Sequence, residues 1–293
     1  MTLTLSSLRD HGIRTLADAG VPTPDADAEL LLAHVLGVSR GEVQAKAITG
    51  ASLDEGQRDA FLAALERRAA REPLQHITGL AAFRSLELEV GPGVFIPRPE
   101  TESVAQLAID SLLAVASPEP VAVDLCTGSG ALALALASEV PHAAVHAVEL
   151  SPEAFAWAER NVRRVGATNL RLVLGDLADA LPELDGRVDV VVSNPPYIPA
   201  DAIPRDLEVR LHDPALALYG GPDGLDVVRV LSRRALALLR PGGALVIEHG
   251  ELQGAEIRAL LAADGWRATA THRDLLGRDR ATTAVRGTGP TAG

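Results

Sequence analysis

Val121-Ala122-Val123-Asp124-Leu125-Cys126-Thr127-Gly128-Ser129-Gly130 begins as an apolar run, turns through small residues and delivers the chain into the Ala/Leu stretch 131–138. A buried strand passing into a helix across a glycine-rich turn is the opening unit of a ligand-binding parallel sheet. Gly128 and Gly130 let backbone approach a ligand where a Cβ would collide, and the helix behind them offers unpaired N–H groups. The same rhythm continues downstream. Strands are predicted over 143–148, 170–174, 188–192 and 243–248, with helices over 152–165, 225–239 and 255–263. Residues 267–273 and 281–285 read as a closing antiparallel pair. Strand and helix in alternation imply an α/β protein with a doubly wound sheet.

Upstream the pattern is helical. Apolar residues at helical spacing predict a helix over 6–19, stopped by Gly20 and Pro22, and a second capped by Asp25 and ended by Gly37. Ser52-Leu53-Asp54-Glu55 resembles a capping box opening a third helix towards Arg71. The expected division is a helical bundle over 1–77, a linker over 78–97 and the α/β domain over 98–286, with a disordered tail over 287–293. In the linker, Phe83, Leu86, Leu88 and Val90 alternate in part, and Gly91-Pro92-Gly93 is expected to turn a β-hairpin into 94–96. A helix over 101–115 follows.

Bulk properties exclude several classes. The formal net charge of -12 argues against a free-standing nucleic-acid binder, which recovers counterion-release energy through a cationic surface. Arg67, Arg68 and Arg71 read as a solvated helix face. The single cysteine, Cys126, excludes internal disulfides and multi-cysteine zinc sites, and no metal is expected. Residues 1–9 lack the apolar core of a secretory leader, and there is no run of 18 apolar residues. A cytoplasmic, membrane-free protein is the expectation.

Glu149 ends the second strand of the α/β region, where a carboxylate can accept both hydroxyls of a ribose. A dinucleotide reader wants a third glycine in the turn, and Ala133 or its neighbours stand there. S-adenosylmethionine carries no phosphate, and its cationic groups suit an acidic turn residue such as Asp124. Asp176, after Gly175, either accepts from an adenine amino group or caps the next helix.

Asn194-Pro195-Pro196-Tyr197 follows the fourth strand of the region. Two prolines fix a turn, so little entropy is lost when a substrate is held. The Asn194 side-chain carbonyl and the Pro195 main-chain carbonyl can accept from both N–H groups of a planar amide or aromatic amine, and Tyr197 can stack on its flat face. The element alone leaves a glutamine amide and a nucleobase equally open.

Residues 95–102 (Phe-Ile-Pro-Arg-Pro-Glu-Thr-Glu), the 124–130 turn, residues 192–198, Glu248-His249-Gly250 and Gln75-His76-Ile77-Thr78-Gly79 together resemble the HemK/PrmC family of glutamine methyltransferases. The resemblance runs through nearly the whole chain. It implies a seven-stranded Rossmann-like class I methyltransferase domain behind a helical substrate-recognition domain. It implies methyl transfer from S-adenosyl-L-methionine, leaving S-adenosyl-L-homocysteine, to the glutamine of the Gly-Gly-Gln loop of class 1 peptide chain release factors. Cys126, Thr127, Gly128, Ser129, Gly130, Glu149, Asp176, Leu177 and Asn194 would contact the donor; Asn194, Pro195, Pro196 and Tyr197 would hold the glutamine. Arg98 and Glu100 would lie near the mouth, either as a salt bridge or as substrate contacts. Three positions depart from the family's usual pattern: Cys126 for Gly, Glu149 for Asp, and Leu177 for an aromatic. The competing readings are a glutamine methyltransferase of a large-subunit ribosomal protein, an adenine-N6 nucleic-acid methyltransferase, and a binding module that keeps the fold without catalysis.

Overall fold

The computed structural model describes residues 4–288. Residues 289–293 of the tail expected to be disordered, and residues 1–3 of the segment 1–9, lie outside the described residues. The chain divides into two compact units, one running to Leu80 with Arg205–His212 added, the other formed by Ala81–Pro204 and the chain from Asp213.

The first unit contains α1 (Leu5–Asp18), α2 (Pro24–Leu36), α3 (Arg40–Ile48), α4 (Glu55–Ala69) and α5 (Leu74–Thr78). Leu8, Leu16, Leu31, Leu32, Val43, Phe61 and Leu65 make its core. Two of these helices lie outside the three predicted from periodicity. The larger, α3, starts at a capping box in which Ser39 Oγ accepts from the Glu42 N–H while the Glu42 carboxylate accepts from the Ser39 N–H at 2.8 Å. The caps also move: Thr23 precedes α2 with Pro24 at its first position, and Asp54 with Gln57 forms the box of α4.

The arginine run is not a solvated face. Arg68 is buried and donates to Asp27 at 2.7 Å and to Glu208 at 2.8 Å; Arg71 donates to Glu208 at 2.8 Å; Arg67 pairs with Glu72. Burial pushes the Glu208 carboxyl upward, but the bonds from Arg71 and Arg68 prevail and hold it at about 2. These positive charges are neutralised inside the unit, so they form no basic patch.

The second unit contains β1 (Leu80–Phe83, whose first residue lies in the helical unit), β2 (Leu86–Glu89), α6 (Thr101–Leu113), β3 (Val121–Leu125), α7 (Ala131–Glu139), β4 (Ala144–Glu149), α8 (Pro152–Val165), β5 (Leu170–Leu174) and β6 (Val188–Ser193). After β6 come α9 (Leu207–His212, the segment assigned to the helical unit), α10 (Ala215–Leu218), α11 (Asp226–Leu238), β7 (Leu239–Glu248), α12 (Gly254–Ala263), β8 (Arg267–Arg273) and β9 (Asp279–Val285). The main sheet has seven strands in the order β5-β4-β3-β6-β7-β9-β8. β5, β4, β3, β6 and β7 are parallel, and β9 runs antiparallel to β7 and to β8, as the closing pair predicted. Apolar clusters cover both faces, one built with α6 and α7 and the other with α11 and α12. This is the class I methyltransferase fold.

The hairpin differs from its prediction. Its turn is Arg84-Ser85 between β1 and β2, with Arg84 at φ +53°. Gly91-Pro92-Gly93 instead threads past Trp157 of α8, whose indole N–H donates to the Pro92 carbonyl at 3.2 Å. A Cβ at Gly91 would lie 2.5 Å from that indole, so the glycine serves close approach and not a hairpin turn.

Candidate active site

The strand order reverses beside β3: β4 and β5 extend to one side, β6 and β7 to the other. Open α/β sheets bind ligands in the crevice outside the carboxyl ends at such a point. The turn after β3 and the segment after β6 both start there.

Cys126 opens the turn at φ +65°, and Gly128 and Gly130 follow at +57° and +87°. A Cβ added at Gly128 would meet nothing within 4 Å, so the turn borders open space. Asp124, fully buried, organises this loop: its Oδ2 accepts from the Thr127 hydroxyl at 2.6 Å and from the Ala133 N–H of α7 at 3.1 Å. Its Oδ1 has no hydrogen-bond partner among the described residues. Glu149, at the end of β4, accepts from the Gly128 N–H at 2.7 Å and from the Ser151 N–H at 2.8 Å. Thus the carboxylate expected at the ribose is already aimed by the turn. Burial raises its proton affinity, against those main-chain bonds. Asp176 and Leu177 follow β5, which pairs with β4 through Glu149 and Leu174. Asp176 is exposed and accepts from the Ala178 N–H at 2.9 Å, and Leu177 packs on the sheet core.

The Cys126 backbone makes a test of its own. A side chain at positive φ costs about 1–2 kcal/mol against glycine. Cys126→Gly should therefore keep donor binding and raise the unfolding midpoint in a calorimetric scan. A lowered midpoint would mean that the thiol's packing outweighs the strain. The thiol is half-buried, and desolvation with the nearby Glu149 and Asp124 carboxylates pushes its pKa up, which unsuits it as a nucleophile.

Asp124 predicts a pH effect on stability. Burial raises its carboxyl to about 7, overriding the bonds from Thr127 and Ala133. Between the ordinary carboxylate range and about 7 the folded state holds a proton that the unfolded state releases, so stability falls as pH rises through that window. Each unit is worth roughly 1.4 kcal/mol. Asn at 124 keeps an acceptor for Thr127 and Ala133. Urea melts of Asp124→Asn at pH 5 and pH 8 should differ by less than those of wild type; parallel curves for the two proteins would refute the buried-charge account.

Across the crevice, Ser193 at the end of β6 donates through its hydroxyl to the Leu125 carbonyl at 2.5 Å, tying β6 to β3. Asn194 is half-buried, Pro195 is buried, and the Asn194 amide group makes no hydrogen bond to another described residue. Its polar atoms are available to a ligand. The rest of the motif is held tightly. The Tyr197 carbonyl accepts from Gln253 Nε2 at 2.9 Å, the Ile198 N–H donates to Leu218 at 2.8 Å, and the Gly220 N–H donates to Ile198 at 2.9 Å.

Four residues of this construction escape a reading by periodicity. Gly220 and Gly224 back the motif so closely that a Cβ would fall 2.5 Å from the Pro196 carbonyl and 2.3 Å from the Tyr197 carbonyl. Gln253 holds Tyr197 from the loop before α12, and Asn161 of α8, fully buried, bonds the Ser129 carbonyl at 2.9 Å and both main-chain polar groups of Glu89. The cluster Gly220-Gly221-Pro222-Asp223-Gly224 was the available signal, since such density marks a strained turn. Arg98 resolves to a structural role: it donates to Asp213 at 2.6 Å and lies 5.1 Å from the centre of the Phe95 ring. No helix among the described residues is long and apolar enough to cross a membrane.

Comparisons with known proteins agree in both units. A family model described as the PrmC N-terminal domain matches residues 7–79, and one described as a methyltransferase domain matches 122–208. A release factor glutamine methyltransferase of Streptomyces coelicolor is 53% identical over 274 residues, 92% of this chain and 93% of that one. A 4-amino-L-phenylalanine/4-methylamino-L-phenylalanine methyltransferase of Streptomyces pristinaespiralis is 41% identical over 289 residues, 97% of this chain and 95% of that one. Among solved structures, a methyltransferase from Pyrococcus furiosus superposes with a TM-score of 0.52 at 22% identity, over 70% of this chain and 91% of its own, which bears on the fold alone.

Proposed function

The chain belongs to the HemK/PrmC family of glutamine methyltransferases, and on that premise we propose that it methylates the side-chain amide nitrogen of the glutamine in the Gly-Gly-Gln loop of class 1 peptide chain release factors, with S-adenosylmethionine as donor. The observation that carries this reading is Asn194: a polar side chain with no hydrogen bond to another described residue, on a rigid proline turn, at the switch point opposite the glycine turn.

The residues fit the donor. The open space at Gly128, the partnerless Oδ1 of Asp124 and the pre-aimed Glu149 carboxylate suit a cationic nucleoside without phosphate. Residues 126–130 and Glu149 would hold it, with Asp176 and Leu177 beside adenine. S-adenosylmethionine supplies an electrophilic methyl on a sulfonium.

An amide nitrogen is a poor nucleophile because its lone pair is delocalised into the carbonyl. The Asn194 side-chain carbonyl and the Pro195 main-chain carbonyl accept from its two N–H groups, which raises electron density on nitrogen and fixes its direction. Each acceptor contributes about 1–3 kcal/mol, and orientation about 7–11 kcal/mol in well-placed cases. Tyr197 supports the amide plane. No strong base is required, because the N–H becomes acidic once nitrogen carries the methyl. The helical unit is assigned to recognition of the protein substrate, and the enzyme to the cytoplasm.

The relative acting on 4-amino-L-phenylalanine favours one second reading, a small aromatic amine, which also presents two N–H donors in a plane. The internally paired arginines and the net charge of -12 weigh against a nucleic-acid substrate. Transfer of tritiated methyl to purified release factor, large-subunit ribosomal protein, DNA and 4-aminophenylalanine separates the readings. Label on the release factor, lost when its Gly-Gly-Gln glutamine is replaced, is the expected result; label on another acceptor alone would reassign the substrate, and label on none would favour a binding module.

A further inference from the structure

Glu248 closes β7 with 1% of its surface exposed, and its Oε2 makes no hydrogen bond to another described residue. Burying a carboxyl with an unpaired oxygen opposes folding, so its presence calls for a role beyond the core. Its surroundings supply one. The carboxyl interacts with the hydroxyls of Thr101, at the start of α6, and of Tyr197, and feels the charges of Arg280 on β9 and of Glu100. Thr101 is itself buried, and its hydroxyl has no aligned partner among the described residues. Arg280 Nη1 lies 3.5 Å from the Tyr197 hydroxyl and donates to the His249 carbonyl at 3.3 Å, while its Nε stands 3.8 Å from the Asp274 carboxylate. The His249 ring is engaged elsewhere, with the Gly250 carbonyl and the Thr282 hydroxyl. The Tyr197 hydroxyl is thus addressed both by the acid of β7 and by the guanidinium of β9.

We infer that Glu248, with Arg280, is a positioning residue of the clamp: the pair fixes the Tyr197 hydroxyl between acceptor and donor and so sets the tilt of the ring that supports the substrate amide. The inference rests on the clamp reading given under Proposed function. The main-chain carbonyl of Tyr197 is pinned by Gln253 at the other end of the residue. With both ends held, the ring presents one plane to the crevice. Without Glu248 the hydroxyl keeps only the long contact to Arg280, and the ring regains freedom about its side-chain torsions.

The test is a double-mutant cycle between Glu248→Ala and Tyr197→Phe, with Glu248→Gln as the conservative control. Glu248→Ala should lower kcat about tenfold while KM for the methyl donor and the unfolding midpoint hold. Glu248→Gln, which keeps an oxygen acceptor, should recover most of the rate. In the Tyr197→Phe background Glu248→Ala should have no further effect, because the hydroxyl it holds is gone. A full tenfold loss in that background, or a rate loss matched by a loss of stability, would overturn the inference.

A second measurement needs no substrate. The chain has two tyrosines, so ring-labelled NMR spectra carry two sets of signals, and Tyr197→Phe assigns them. Glu248→Ala should shift and broaden the Tyr197 set and leave the Tyr219 set in place. An unmoved Tyr197 signal overturns the positioning role whatever the substrate is. If the signal moves but wild type labels no acceptor, the clamp reading fails while the positioning of the ring stands.

Discussion

Asn194→Ala should lower methyl transfer at least tenfold and leave the unfolding midpoint within about a degree of wild type. The side chain is half-buried and bonded to no other described residue, so its loss empties no core and orphans no partner. What it removes is one of two acceptors for the amide N–H groups, an interaction of about 1–3 kcal/mol. Because 1.36 kcal/mol of barrier is tenfold in rate, single-turnover transfer to the release factor reads the effect directly. Activity above a tenth of wild type would contradict the two-acceptor clamp. A fall in the midpoint would instead mean that Asn194 supports the turn.

Gly220→Ala should cost more, about a hundredfold in kcat, although it replaces no residue assigned to the substrate. The new Cβ would lie 2.5 Å from the Pro196 carbonyl oxygen and 2.6 Å from that of Gly224. Both are main-chain atoms, and no rotamer change removes the clash. Either the Pro195-Pro196 turn moves or the 220–224 loop does, and misplacement of a reacting group by about 1 Å can cost 10²-fold. Gly41→Ala is the matched control, since its Cβ meets nothing within 4 Å. If Gly220→Ala keeps a third of wild-type kcat, the loop yields and the turn does not depend on it.

Both experiments turn on the boundary between what a linear reading reaches and what it misses. Strand and helix positions in the sheet were legible because burial imposes a period on neighbouring residues. The periodicity over 170–174 and 152–165 matches the bounds of β5 and α8, and the closing pair at 267–285 runs antiparallel as expected. Short or capped elements were not legible in that way. α3 is signalled by a capping box and not by apolar spacing, and the hairpin turn Arg84-Ser85 lacks the glycine that a turn with positive φ invites. The arginines of α4 misled for a related reason. A run of like charge predicts a solvated face unless its partners are known, and Asp27 and Glu208 lie 41 and 140 residues from Arg68.

By itself, the sequence determined the α/β class, the glycine turn, the family and the identity of the motif Asn194-Pro195-Pro196-Tyr197. Each is carried by residues close together in the chain, where spacing and residue type are the whole signal. Tertiary structure alone decided how that motif is held: Gly220 and Gly224 behind its carbonyls, Gln253 on the Tyr197 carbonyl, Arg280 at its hydroxyl, and Asn161 under the glycine turn. Such contacts join segments that only the strand order brings side by side. They depend on fractions of an ångström between closely packed atoms, and no periodicity in the chain records a distance of that kind.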